Sequence, residues 1–192
     1  MDRPSTADDV RPDLRAGRPL TRRALDYATR RHAGQRRDTD GAPYVAHPVE
    51  VASLLYEAGY PDHVVATGVL HDVLEDTDAE RAEIESTFGP EVAGLVASLT
   101  EDESIEDSRE RKAALRLQVA QAGDEAAAVF AADKVSKARE MRLRAERGPL
   151  DEADTAKVEH YSESLDMLES LLVGHPLVGQ LRTEVKELTP PG

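Results

Sequence analysis

Val64-Val65-Ala66-Thr67-Gly68-Val69-Leu70 runs directly into His71-Asp72-Val73-Leu74-Glu75-Asp76, and this junction decides the fold. The first seven residues are apolar nearly all round a helix, the pattern of a segment buried on every side. The next six hold four titratable groups interrupted by two large aliphatics. Read as one continuous helix, Glu75 lies four residues from His71 and three from Asp72, so the three share a face, and Asp76 lies four from Asp72. Carboxylates at that spacing repel, and burying them unpaired is costly. A bound cation removes both penalties. The theme recurs downstream, where Ala126-Ala127-Ala128-Val129-Phe130-Ala131-Ala132 leads into Asp133-Lys134. A carboxylate there needs a partner. Lys134 is poorly placed to be it, because adjacent residues point about 100° apart around a helix.

Helical spacing extends outward from these segments. Leu20, Ala24, Leu25 and Ala28 mark a first helix, with Thr21 as its N-cap and Gly34 as its stop. Residues 35–46 read as a loop. Pro48 suits the first turn of a second helix that stops at Gly59. Asp62 or Pro61 opens the third, which runs on through Leu74. A short acidic helix ends at Phe88-Gly89, and Pro90 opens the next. Helices are predicted over 106–121, from Glu125 to Arg147 with Asp124 as cap, over 151–172, and after Pro176. The expected fold is one all-α helical bundle of about eight or nine helices over residues 19–188, behind a disordered leader of residues 1–18 rich in Pro, Asp and Arg.

Length and composition agree with that reading. The chain has 192 residues, suited to one ordinary domain. Its formal charge of −14 argues against a sequence-independent nucleic-acid binder and against docking on an anionic membrane. With no cysteine, disulfides, thiolate nucleophiles and Cys-ligated metal centres are excluded. Aromatics make up 4% of the chain and tryptophan is absent, so Ala, Leu and Val must build the core. No apolar targeting segment and no run long enough to span a membrane occurs, which points to a cytoplasmic protein.

Four separated blocks carry a resemblance. They are Arg36-Arg37 with Gly41-Ala42-Pro43-Tyr44-Val45-Ala46-His47-Pro48; Leu70-His71-Asp72-Val73-Leu74-Glu75-Asp76-Thr77; Phe88-Gly89 with Val92, Leu95, Val96, Leu99 and Thr100; and Ala132-Asp133-Lys134. In order and spacing they resemble the hydrolase domain of RelA/SpoT-type alarmone enzymes, which belongs to the HD metal-dependent phosphohydrolases. The likeness covers residues 20–145, with a less specific helical tail over 150–188. The length leaves no room for a synthetase domain, so the chain is most similar to the stand-alone small alarmone hydrolases. The resemblance implies that His47, His71, Asp72 and Asp133 hold one divalent metal, most commonly Mn²⁺. Two imidazoles and two carboxylates suit Mn²⁺, Fe²⁺ or Zn²⁺. It further implies that Glu75 and Asp76 orient and deprotonate the attacking water. Arg36, Arg37, Tyr44, Lys134, Lys137 and Arg139 would meet the nucleotide, and the 3′-diphosphate of ppGpp or pppGpp would leave as pyrophosphate.

One departure bears on the substrate. The family usually has an aromatic or His and then an Asn after Ala-Asp-Lys-x, where this chain has Ser136 and Lys137. A lysine donates but cannot accept a hydrogen bond. Three readings therefore stand open: an alarmone 3′-pyrophosphohydrolase, an HD phosphohydrolase acting on ppApp or the 2′-phosphate of NADPH, and a non-catalytic nucleotide-binding module. Charge distribution favours a small, highly phosphorylated ligand. Thirteen acids face two arginines over residues 75–110, while residues 30–37 carry four arginines and no acid, and 134–147 carry six basic residues against two acids.

Overall fold

A computed structural model describes residues 14–37 and 41–189. Its helices are α1 (Pro19–Arg31), α2 (Ala46–Glu57), α3 (Asp62–Leu70), α4 (Val73–Asp76), α5 (Arg81–Phe88), α6 (Pro90–Leu99), α7 (Ser108–Ala122), α8 (Asp124–Ala145), α9 (Glu152–Leu171) and α10 (Pro176–Leu188). Nine of these have eight residues or more, and α4 is a single turn. Among the described residues there is no strand, and one isolated bridge pairs Arg36 with Pro43. The all-α expectation holds. No described helix is long and apolar enough to cross a membrane.

The Ala-rich part of α8 is the axis of the bundle. Residues Ala126 to Ala132 are all buried, and α8 packs against α2, α3, α7, α9 and α10. Alanine side chains let neighbours approach on every side, which a helix apolar all round requires. α1 and α2 both lie against α3.

Three local expectations are corrected. The third helix does not run unbroken to Leu74. It ends at Leu70, and α4 restarts after Asp72, whose φ of −95° and ψ of −3° lie near the bridge region. His71 Nδ1 is 2.9 Å from the Gly68 carbonyl, the acceptor that the Asp72 amide would use in a continuing helix. Thr21 is not an N-cap. α1 starts at Pro19, and its orphan Leu20 and Thr21 amides donate to the Asp62 carboxylate at 2.9 and 3.0 Å, as does the buried Thr21 hydroxyl at 2.6 Å. The first residue of α3 thus caps α1. Finally, the leader is packed over its last residues. Leu14 is buried, Arg15 pairs with Asp26, and the Arg18 guanidinium lies over the Tyr56 ring and donates to the Tyr60 carbonyl. Residues 1–13, 38–40 and 190–192 lie outside the described residues.

Gly68 sets the α2–α3 spacing. A Cβ there would stand 2.5 Å from Leu55 Cδ1 and 3.5 Å from the Ala52 backbone. Gly68→Ala gains about 1 kcal/mol in helix propensity and meets overpacking of about 1–3 kcal/mol. The expected result is a net loss of about 1 kcal/mol in urea unfolding; equal or greater stability would show that Leu55 swings aside freely.

α9 opens with a capping box between Asp151 and Asp154, and Asp154 is further paired with Arg144 at 2.5 Å. Burial pushes the Asp154 carboxyl up, but the Arg144 guanidinium and the Asp151 amide outweigh it and hold it below the ordinary range. A folded-state pKa below the unfolded one gives stability above the ordinary carboxylate pKa that is lost as pH falls through the lowered value. Asp154→Asn is expected to lower Tm by about 2–4 °C at neutral pH, with the gap closing below about pH 4. A gap independent of pH in calorimetry would rule out the charge contribution.

Candidate functional site

Four ligand-type side chains arrive from three places: His47 from the first turn of α2, His71 and Asp72 from the break between α3 and α4, and Asp133 from the middle of α8. All four are buried. The two Nε2 atoms are 3.3 Å apart. Asp133 Oδ1 lies 3.2 Å from His47 Nε2 and 3.4 Å from His71 Nε2, while Asp72 Oδ1 lies 3.0 Å from His71 Nε2 and Oδ2 3.5 Å from His47 Nε2. His47, His71 and Asp133 offer ligand atoms within 4.8 Å of one another. Asp72 borders this trio and also accepts from the Tyr44 hydroxyl at 2.6 Å.

The electrostatics ask for a cation. Burial pushes the Asp72 and Asp133 carboxyls up, yet His71 and Lys137 beside the first, and Lys134 and Lys137 beside the second, hold both well below their usual range. Burial lowers His71, but the two aspartates pull it up to about 10. Either a proton on Nε2 or a metal ion meets that demand. Asp133 Oδ1 is buried without a directed hydrogen bond, although Lys137 Nζ stands 3.0 Å away. The outer nitrogens also fit a metal. His71 Nδ1 faces the Gly68 carbonyl and His47 Nδ1 faces Ser136 Oγ at 3.0 Å, so both Nε2 atoms point at the centre. The donor set therefore suits a divalent ion with nitrogen and oxygen ligands.

Two cavities adjoin the cluster. The first, about 200 Å³, is lined by His71, Asp72, Glu75 and Asp133 together with Lys112, Lys134, Lys137 and Lys157. Those are four of the five lysines in the chain. The second, about 250 Å³, is lined by Arg36, Arg37, Tyr44, His47 and Glu140. Lys137, Lys157 and Tyr161 line both.

The sequence-derived candidates divide accordingly. Arg36, Arg37 and Tyr44 come together in the second cavity, where Arg37 also pairs with Glu140 at 2.8 Å. Glu75 reaches the first cavity and accepts from the Glu101 amide. Burial pushes its carboxyl above the ordinary range, helped by Asp72 and opposed by that amide and Lys137. Asp76 is exposed and borders neither cavity; its Oδ2 lies 2.6 Å from the Tyr44 hydroxyl, whose single proton it shares with Asp72. Lys134 does pair with Asp133, contrary to expectation, at 2.7 Å. Its long stem folds back over the Phe130 ring, which overcomes the angular divergence of neighbours on a helix. Lys137 lies 3.0 Å from Asp133 and 3.8 Å from Asp72. Arg139 borders neither cavity, because Glu50, Gln180 and Glu184 hold its guanidinium.

Sequence reading missed Lys112, Lys157, Tyr161, Ser136 and Glu50. The last two carried a usable signal: each sits three residues beyond a ligand, His47 or Asp133, and so on the same helix face. Lys157 and Tyr161 share a face of α9 at four-residue spacing, a pattern indistinguishable from ordinary packing.

A helical bundle that converges two histidines and two aspartates on one buried point, beside a Lys-lined cavity, is the architecture of an HD-type hydrolase. Residues 24–158 match the HD domain family, and the chain belongs to it. It is similar to the guanosine-3′,5′-bis(diphosphate) 3′-pyrophosphohydrolase MESH1 of Drosophila melanogaster, 40% identical over 130 residues, covering 65% of this chain and 70% of that one. It is also similar to MESH1 of Homo sapiens, 44% identical over 124 residues, covering 62% and 67%. A solved structure described as a metazoan ortholog of SpoT that hydrolyzes ppGpp superposes with a TM-score of 0.77 and 28% identity, covering 88% of this chain and 96% of that one.

Metal binding to the folded state alone raises stability with concentration, by about 2.7 kcal/mol at a hundredfold excess over Kd. Mn²⁺ is expected to raise Tm of the chelator-treated protein, and Asp133→Ala to abolish the rise. A Mn²⁺-dependent rise that survives in Asp133→Ala would place the ion elsewhere.

Proposed function

We propose that this chain is a divalent-metal-dependent 3′-pyrophosphohydrolase of ppGpp and pppGpp, releasing GDP or GTP and pyrophosphate, with Mn²⁺ as its metal. The observation that carries the reading is the position of the His47–His71–Asp72–Asp133 cluster, between a Lys-lined and an Arg-lined cavity. The relatives' named activity supports the same reaction. An ion held by those residues would supply Lewis-acid polarisation of phosphoryl oxygens and acidify water.

The remaining work falls to the chain's own groups. Glu75 faces the first cavity with a carboxyl raised by burial, which makes it a stronger base than an exposed carboxylate. It takes a proton from the attacking water as the water oxygen bonds to phosphorus. The bond from phosphorus to the ribose 3′-oxygen breaks, the 3′-oxygen takes up a proton, and pyrophosphate leaves toward the lysines. Lys137 is held well above the usual lysine range by Asp133 and Asp72 against the opposing effect of burial, so it stays an ammonium between the two cavities. It bonds phosphate oxygens, where an asparagine would read a hydroxyl. Arg36 and Arg37 meet the guanine base and its phosphates through stacking and bidentate hydrogen bonds. Asp76 acts one step back: with Tyr44 it steadies Asp72. The hydrolase domain spans 19–188, and a cytoplasmic setting fits the nucleotide substrate.

Incubation with Mn²⁺ and a panel of ppGpp, pppGpp, ppApp and NADPH, resolved by chromatography, is expected to yield GDP or GTP with pyrophosphate. Turnover of ppApp or NADPH alone, or of nothing, overturns the reading. Glu75→Gln is expected to lower kcat by about 10²–10⁴-fold with unchanged Mn²⁺ affinity, and Asp76→Asn to cost less. The reverse order would return the base role to Asp76.

A further inference from the structure

Each histidine of the cluster turns its Nδ1 outward, but to different partners. His71 uses a backbone carbonyl, that of Gly68. His47 uses a side chain: its Nδ1 is 3.0 Å from Ser136 Oγ, and Ser136 donates in turn to Glu50 Oε2 at 3.0 Å. Ser136 has a single hydroxyl proton, and with that proton committed to Glu50 its oxygen is left as an acceptor. The His47 ring must then carry its proton on Nδ1 and present an Nε2 lone pair to the centre. Glu50 is itself held, since Oε1 accepts from Arg139 at 3.2 Å, and Arg139 is anchored by Glu184 and Gln180 of α10. The serine is fully buried on α8 and the histidine is buried on α2.

From this arrangement we infer that Ser136 and Glu50 are positioning residues for the metal centre, fixing the tautomer and ring orientation of His47 through a Glu50–Ser136–His47 relay braced by Arg139. The two supporters sit at matched places, Glu50 three residues after His47 and Ser136 three after Asp133. Each ligand therefore carries, one helical turn on, the group that bonds across to the other helix. Glu140 Oε1, at 3.9 Å from His47 Nδ1, is beyond hydrogen-bond range and is paired with Arg37. Ser136 thus has a use independent of the nucleotide, and Arg139 acts on the metal side through Glu50.

The inference rests on the metal reading and not on the identity of the substrate, so its test contains no nucleotide. Mn²⁺ is titrated into chelator-treated protein by calorimetry, and the His47 ring nitrogens are read by ¹⁵N NMR in the metal-free state. Ser136→Ala is expected to weaken Mn²⁺ binding about 10–100-fold and to redistribute the His47 tautomers. Glu50→Ala should do the same, and Glu50→Gln, which keeps an acceptor for the serine, should retain the Nδ1–H form. The double variant Ser136→Ala/Glu50→Ala should bind Mn²⁺ no more weakly than Ser136→Ala alone. Affinity within twofold of the parent in Ser136→Ala, unchanged ring nitrogens, or additive losses in the double variant would each overturn the relay. If Ser136→Ala fails to fold, the variants at the partly buried Glu50 carry the same readouts alone. Failure of nucleotide hydrolysis with normal Mn²⁺ binding leaves the relay standing.

Discussion

Two buried carboxylates and two imidazoles crowd around one point, and the rest of the molecule is arranged to keep them there. Asp72 and Asp133 are buried and ionised, a state that burial alone opposes. Lys134 and Lys137 supply part of the compensating charge, and His71 is pushed toward its cationic form. Such a centre is stable only when helices from distant parts of the chain hold it rigidly. The close α2–α3 contact at Gly68, the alanine axis of α8 and the Asp62 cap on α1 supply that rigidity.

Legibility in the sequence tracked how local the cause was. Helix boundaries set by Gly59, Gly89, Pro90 and Pro176 could be read directly, because their effects are confined to the backbone beside them. The His71-Asp72 pair and Asp133 stood out because charge interrupted an apolar run. The break of α3 could not be seen, since it depends on an imidazole capturing a carbonyl in its own helix. The Thr21 reading failed for a related reason: the acceptor for the first amides of α1 comes from Asp62, far along the chain. Arg139 illustrates the limit most clearly. Its motif position pointed to nucleotide, yet Glu50 and Glu184 hold it away from both cavities, and neither was singled out by the sequence.

Net charge hid a division of labour between the two basic side chains. Arginines do mostly structural work at the surface, forking onto carboxylates such as Asp78, Glu83, Glu101 and Glu184. The lysines are few, and four of the five face one cavity. Compact ammonium groups on flexible stems can follow a phosphate group as bonds rearrange, whereas a planar guanidinium is better at fixing one geometry. An acidic protein can therefore bind a polyanion by segregating its cations rather than by carrying more of them.

The alanine stretch of α8 has a consequence for inheritance. Ala126-Ala127-Ala128 and Ala131-Ala132 have no rotamers to freeze, so ordering them costs no side-chain entropy. They are also fully buried, on a helix that packs against α2, α3, α7, α9 and α10. A larger residue there has nowhere to go, and glycine would soften the rod. Beyond Asp133 the helix stays buried at Val135, Ser136, Ala138 and Met141, while Lys134, Lys137 and Glu140 border the cavities. On α8 the lysines that face the cavity and the aspartate of the cluster share one side of the helix, so a change at Lys134 or Lys137 is felt at Asp133 as well.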